Sequence, residues 1–254
     1  MIDISITIVA YNDEEDVKNA VYSIMECTAV NISKKIFIVD NSSKKNHLKV
    51  LEEKYKEVIY IHTGKNLGFG GGHNFVLPKL DSKLHAIVNP DIILTEDSFS
   101  TLIKFMEDQT IGMAIPKLVD ERGNLQAVYR QELTVVDMGI RMFFPNFFKK
   151  RQSYHTMQQM DYKKPFQVPF AQGSFLVIRT ELFQRLHGFD SRYFMYMEDA
   201  DLCRQVNEQS SLWYCPYTAV IHKWERGSHK DKRLRKIHLH SMLQYFRKWG
   251  WKIW

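Results

Sequence analysis

Two acidic clusters and one histidine carry the residue types that could do chemistry in this chain. The first cluster is Asn89-Pro90-Asp91, which follows the apolar, β-branched run Ala86-Ile87-Val88. Such a run reads as a buried strand, and proline ends it because it cannot continue a central ladder. Asp91 is therefore expected just past a strand's carboxyl end, where open α/β sheets bind ligands. A carboxylate there can hold a hard cation against a diphosphate, although the same three residues also favour a plain turn. The second cluster is Glu198-Asp199-Ala200-Asp201, directly after the aromatic run Tyr193-Phe194-Met195-Tyr196. Three carboxylates in four residues suit the positive end of a helix dipole, and Glu198 and Asp201 share a face there. An aromatic wall also raises a carboxylate's proton affinity, which a general base needs. His222 ends the run Ala219-Val220-Ile221 and reads either as a core histidine or as a metal ligand.

The elements that must position these groups follow from periodicity. Ile4 to Ala10 and Lys35 to Val39 read as strands, with Val17, Ala20, Val21 and Ile24 at helical spacing between them. Each strand ends in polar residues, Tyr11-Asn12 and Asp40-Asn41-Ser42-Ser43, as in a nucleotide-binding βαβ half. A third strand spans Val58 to His62. After it, four glycines stand in Gly68-Phe69-Gly70-Gly71-Gly72-His73-Asn74. They read either as a flexible loop or as a backbone that a ligand can approach closely; the run is neither a Walker A loop nor a Rossmann fingerprint. A helix from about Asp97 to Met106, a strand from Met113 to Leu118, a strand at Phe175 to Ile178 and a helix from Thr180 through Leu186 follow. Between Gln126 and Val168 the pattern loosens. There the segment 142–151 sets four phenylalanines beside Lys149, Lys150 and Arg151, either folded onto the core or meeting lipid.

With 254 residues, 44% hydrophobic and 25% charged, the chain can bury the core of one large α/β domain or two small ones. No apolar run approaches the ~20 residues that span a bilayer and no secretory leader opens the chain, so a cytoplasmic location is expected. Cys27, Cys203 and Cys215 show no metal spacing. The net charge is +6, but residues 223–254 hold ten Lys/Arg and two acids, leaving the body at −2. Such asymmetry points to an anionic surface as partner. The acidic body, with tail aromatics at helical spacing, argues against nucleic acid.

Taken in order, Val9-Ala10-Tyr11-Asn12, Val39-Asp40-Asn41-Ser42-Ser43, Asn66-Leu67-Gly68-Phe69, Asn89-Pro90-Asp91, Gly173-Ser174-Phe175, Gly188-Phe189-Asp190, Glu198-Asp199-Ala200-Asp201 and His222 resemble the inverting family 2 glycosyltransferases. Among these the chain is most similar to bacterial rhamnosyltransferases that extend lipid-linked polysaccharide precursors. The resemblance covers about residues 3–225 and implies the GT-A fold, α/β with a mixed central sheet. Its expected halves are 1–118 for the nucleotide-sugar and 119–225 for the acceptor, with 226–254 as a basic amphipathic tail.

The resemblance also implies roles. Ala10, Tyr11, Asn12 and Asp40 line the nucleoside pocket, with Asp40 accepting from the pyrimidine ring. Asn66, Gly68, Phe69, Asn74 and Asn89 lie along the nucleotide-sugar. Asp91 and His222 hold a divalent cation, Mg2+ or Mn2+, although Asn89 replaces the first aspartate of the family's Asp-x-Asp motif. Asp199 is the general base, with Glu198 beside it, and Gly173, Ser174 and Asp201 stand on the acceptor side. The expected donor is dTDP-rhamnose or a UDP-sugar, the acceptor a lipid-linked saccharide. Gln244-Tyr245-Phe246-Arg247-Lys248-Trp249 resembles a signature of processive synthases with one residue too many, and reads as tail helix. In that tail Leu239, Met242, Leu243, Phe246, Trp249 and Ile253 recur at helical spacing. The stripe is expected to dock on the core, to join a homodimer, or to lie with its cations on the inner face of the cell membrane.

Overall fold

The computed structural model describes residues 1–223 and 232–254. Its centre is a nine-stranded mixed sheet. Strands β1 (Ile2–Ala10), β2 (Lys34–Asp40), β3 (Val58–His62) and β4 (Ser82–Val88) are mutually parallel, in the order β3-β2-β1-β4. Ile4, Ile6 and Ile8 are fully buried, as a strand covered on both faces requires. Helices α1 (Glu14–Cys27) and α2 (Val50–Lys54) connect the first three strands. Register brings Ala10 beside Asp40 and Asp40 beside His62, so the polar ends of three strands line up.

The glycine-rich stretch is not a loop. It forms helix α3 (Gly68–Val76), and its glycines meet the protein itself. A Cβ on Gly70 would come within 2.9 Å of Phe189, and one on Gly72 within 2.7 Å of Val9. Gly68 has φ 74°, and a Cβ there would sit 2.0 Å from the Phe194 carbonyl oxygen. Only glycine fits, because both the left-handed backbone and the close approach exclude a side chain. Glycine's poor helix propensity hides such a helix from sequence reading, and close packing overrides it.

Beyond β4 the chain forms β5 (Ile92–Leu94), α4 (Ser98–Phe105) and β6 (Met113–Val119). The segment that looked irregular holds the short strand β7 (Tyr129–Arg130) and helices α5 (Val135–Phe143) and α6 (Lys149–His155). It ends in the two-residue strands β8 (Phe166–Gln167) and β9 (Phe170–Ala171). Strand β10 (Phe175–Arg179) then inserts antiparallel between β4 and β6, with Phe175 opposite Val88. Helix α7 (Thr180–Arg185) follows directly. Helix α8 (Glu198–Gln209) leads into β11 (Leu212–His222), which runs parallel to β6 and antiparallel to β5. One sheet thus runs through both expected halves; the expected boundary at 225–226 lies outside the described residues, as does Lys230.

Helix α9 (Lys232–Trp249) closes the chain and starts earlier than the apolar stripe suggested. Ser241, Tyr245 and Phe246 are buried and Met242 and Trp249 pack on the core, while Leu239 and Leu243 face outward. Polar anchors set this rotation. The Lys248 ammonium reaches Asp190 at 3.0 Å and Asp201 at 2.7 Å, and Trp249 Nε1 donates to Asp201 Oδ1 at 2.6 Å.

Candidate active site

The antiparallel insertion of β10 builds one wall of a cavity. Asn89 N–H donates to the Ser174 carbonyl at 2.8 Å, and His222 pairs with Ile92 across β11 and β5. Asn89, Asp91, Ser174 and His222 therefore converge on one cavity of about 700 Å³, within the size range of ligand sites. Inside it, His222 Nε2 faces Asp91 Oδ2 at 3.3 Å. The second ring nitrogen is set by Gln126, a residue with no sequence signal. Gln126 Nε2 donates to the His222 carbonyl at 2.7 Å, so its Oε1, 2.8 Å from His222 Nδ1, must accept. This network assigns the proton of the neutral ring to Nδ1 and turns the Nε2 lone pair toward the carboxylate.

Two electron-rich atoms facing each other at that separation fit a cation between them. Asp91 Oδ1 and Asn89 Oδ1 are also buried without a hydrogen-bond partner. Among the described residues no three His, Cys, Asp or Glu side chains gather as a closed metal centre. The donor set therefore fits a hard divalent ion that completes its shell with diphosphate and water, Asp91 and His222 supplying the protein's share.

Glu198 and Asp199 open α8, immediately after Tyr196 and Met197, which have φ of 69° and 70°. Two consecutive non-glycine residues in the left-handed region store about 1–3 kcal/mol each, a cost met at sites where geometry matters. Asp199 Oδ2 accepts from Gly173 N–H at 3.1 Å and Oδ1 from Ala200 N–H at 2.8 Å. Burial raises its proton affinity, and those two hydrogen bonds with the charges of Arg130 and Arg141 oppose the rise. Glu198 is more deeply buried, its Oε2 has no partner, and burial together with Asp199's charge pushes its carboxyl up. Burial and mutual repulsion disfavour two charges on this pair, and backbone donors and the opening to the cavity favour Asp199 as the member that carries one.

Other expected residues stand elsewhere. Phe69, Gly173, Glu198 and Asp199 line the cavity with Asn89, Asp91, Ser174 and His222. Ala10, Tyr11, Asn12, Asp40 and Asn66 gather outside it, around the ends of β1 and β2. There Tyr11 is half-exposed, and Asn12, at φ 63°, donates its N–H to Ser42 Oγ. Asp40 is fully buried and already accepts from Ser42, Asn46 and Tyr60. Burial works against its charge, but these bonds outweigh it and hold the carboxyl below its usual value. Asn74 does not point into the cavity: it brackets the Phe189 backbone, donating to its carbonyl at 2.7 Å and accepting from its N–H at 2.8 Å. Asp201, expected on the acceptor side, is completely buried and spent on Gln205, Lys248 and Trp249. Besides Gln126, the cavity adds Arg130 and Arg141, which sequence reasoning passed over.

Comparison with known proteins agrees with this geometry. Rhamnosyltransferase WbbL of Escherichia coli (strain K12) is 28% identical over 257 residues, covering 94% of this chain and 91% of that protein. An N-acetylglucosaminyl-diphospho-decaprenol L-rhamnosyltransferase of Mycobacterium tuberculosis (strain ATCC 25618 / H37Rv) is 26% identical over 211 residues, 77% of this chain and 68% of its own length. The low-salt glycan biosynthesis hexosyltransferase Agl10 of Haloferax volcanii is 25% identical over 227 residues, 87% of this chain and 67% of that one. Among solved structures, GalNAc-T7 with UDP, GalNAc and Mn2+ superposes with a TM-score of 0.69 at 16% identity. The match takes in 97% of this chain but only 48% of that one. The mannosyltransferase PcManGT from Pyrobaculum calidifontis, with GDP-Man and Mn2+, gives 0.66 at 15% identity, over 97% of this chain and 66% of its own. Both share the GT-A fold. The model of Glycosyl transferase family 2 matches residues 5–186, which hold most of the sheet and Asp91 but neither Asp199 nor His222, and the chain belongs to that family.

Proposed function

We propose that this glycosyltransferase is inverting and non-processive, and moves rhamnose from dTDP-rhamnose to a lipid-linked saccharide in cell-surface polysaccharide synthesis. The observation that carries this reading is one shared cavity, with a backbone-held Asp199 carboxylate and the Asp91–His222 pair on its walls. An inverting transfer is a single displacement at the anomeric carbon, so it needs one base and no covalent nucleophile. Asp199 takes the proton of the acceptor hydroxyl, and Glu198, keeping its own proton, leaves the charge on that base. Asp91 and His222 would hold the divalent cation, whose chemistry when bound would be to neutralise charge on the departing nucleoside diphosphate. Asp40, Tyr11 and Asn12 receive the nucleoside, and Gly173 and Ser174 border the acceptor.

The two relatives named as rhamnosyltransferases favour a deoxyhexose. The relative named as a hexosyltransferase keeps a UDP-hexose as the second reading. No described helix is long and apolar enough to cross a membrane. We read the contact with a lipid-linked acceptor as peripheral, made by the basic first turns of α9 on the cytoplasmic leaflet. Incubating the full chain with dTDP-rhamnose, UDP-glucose and UDP-N-acetylglucosamine, each with Mn2+ or with EDTA, tests the donor. Metal-dependent hydrolysis and thermal stabilisation confined to dTDP-rhamnose are expected. A preference for a UDP-sugar overturns the donor, and equal stabilisation in EDTA overturns the role of Asp91 and His222.

A further inference from the structure

The cavity holds a cationic group that donor chemistry leaves unused. Arg130, at the end of β7, is 5% exposed and lines the cavity, and its Nε has no hydrogen-bond partner. Its guanidinium carbon lies 5.5 Å from the Phe170 ring centre. Among the described residues no carboxylate forms an ion pair with it. Burying an unpaired guanidinium is expensive, and the Phe170 ring and the charge of Asp199 offset only part of that cost. Burial and the neighbouring charge of Arg141 both lower its proton affinity, and Asp199 alone opposes them. Arg141, on α5, lines the same cavity. His155 lies beside them, its ring pushed down to about 4 chiefly by burial, so it adds no charge at neutral pH. Both arginines line the same cavity as Asp199, the carboxylate beside which the acceptor hydroxyl must sit.

What adjoins these arginines names the anion. Directly after Arg141 the chain exposes Phe143, Phe144, Phe147 and Phe148, each between 53% and 67% accessible, while Pro145 and Asn146 between them line the cavity. A cationic pocket opening onto exposed aromatic rings matches a molecule whose anion joins a sugar to a hydrocarbon chain. We propose that Arg130 and Arg141 form an acceptor subsite for the phosphate or diphosphate linking the acceptor sugar to its lipid, with the lipid leaving over the phenylalanines. The assignment rests on the reading of Asp199 as the base. A guanidinium suits the role better than an ammonium because its planar fork pairs with two phosphate oxygens at once.

The test uses the full chain saturated with dTDP and Mn2+, titrated with geranyl diphosphate, inorganic pyrophosphate or geraniol and followed by calorimetry. Geranyl diphosphate should bind alongside dTDP, at least tenfold more tightly than either other probe. Arg130→Gln and Arg141→Gln should each weaken it tenfold or more with dTDP affinity unchanged. Arg130→Lys, which keeps the buried charge, should fall between and covers a failure of Arg130→Gln to fold. Equal binding of inorganic pyrophosphate overturns the lipid-linked assignment, and equal binding of geraniol overturns the anion. If Arg130→Gln binds geranyl diphosphate like the parent and only shifts the pH profile of donor turnover, Arg130 tunes Asp199 and the subsite falls. A chain that does not bind dTDP at all refutes the transferase chemistry instead.

Discussion

Replacing Gln126 with methionine isolates the residue that orients His222. Gln126 is 8% exposed, and its amide makes both a 2.7 Å bond to the His222 carbonyl and a 2.8 Å bond to the ring. Methionine fills similar volume and makes neither. Two lost hydrogen bonds at about 1 kcal/mol each, plus a carbonyl left buried without a donor, give roughly 2–3 kcal/mol. At ~2–4 °C per kcal/mol for a domain of this size, Tm should fall by roughly 4–12 °C. The larger effect is functional. Freed from Gln126, the ring loses its fixed tautomer and orientation, and such outer partners are worth about 10–100-fold in metal affinity. Calorimetric titration with Mn2+ at saturating dTDP should read that loss, with Tm measured on the same samples. Gln126→Glu keeps an oxygen opposite Nδ1 but cannot donate to the carbonyl, so it should lose stability while retaining Mn2+ affinity within a few-fold. Unchanged Mn2+ affinity in Gln126→Met, or an equal loss in both variants, would refute the tautomer argument.

Asp199→Asn should keep dTDP affinity and lose transfer by ~10²–10⁴, measured as product formed per turnover; near-normal turnover moves the role to Glu198. Burial raises the proton affinity of both Glu198 and Asp199, so each releases its proton at higher pH in the native state than in the unfolded chain. Stability should therefore fall as pH rises from the ordinary carboxylate range through their raised values, and Glu198→Gln should flatten that slope in a urea-unfolding pH series. An unchanged slope would remove Glu198 as its source. Gly68→Ala should abolish folding through the 2.0 Å clash, whereas Gly139→Ala, on α5 with open space at its Cβ, should gain about 0.5–1 kcal/mol in thermal unfolding. Glutamate at the exposed Lys232, Arg235 and Lys236 together should abolish sedimentation with anionic liposomes, at ~1 kcal/mol per cation near the surface, and persistent sedimentation would assign the membrane contact elsewhere.

Legibility in the sequence tracked how local each determinant is. The strands β1, β2 and β4 announce themselves because a β-branched run buried on both faces leaves few alternatives, and the polar residues that end them fall at the sheet's ligand edge. Asp91 and His222 could be read as candidates for the same reason, each standing at the end of a readable strand. Spacing alone could not sort the three carboxylates of Glu198-Asp199-Ala200-Asp201, among which only the family resemblance singled out Asp199; helix geometry separates them. At ~100° per residue, Asp199 and Asp201 point some 200° apart, one to the cavity and the other to α9. Gln126 bonds to His222 and Arg130 shares the cavity with Asp199, partners about 70–95 residues away that meet only when β11 and α8 are in place, so no local pattern marks them.

The basic tail was visible as charge, but its first task is mechanical. Lys248 is committed to Asp190 and Asp201, and Lys252 pairs with Glu132. Ser241 Oγ donates to the Met195 carbonyl at 2.9 Å, and the Tyr196 ring lies 4.8 Å from that of His238. Helix α9 thus grips the segment 190–201 at both ends and in its middle. That segment contains the two left-handed residues, Tyr196 and Met197, whose strain must be balanced for Glu198 and Asp199 to start their helix where they do. Four exposed cations, Lys232, Arg233, Arg235 and Lys236, stand in the first turns of α9, and Arg247 is exposed in its last turn. Exposed charge and the anchoring of the backbone that leads into Asp199 are therefore carried by one helix.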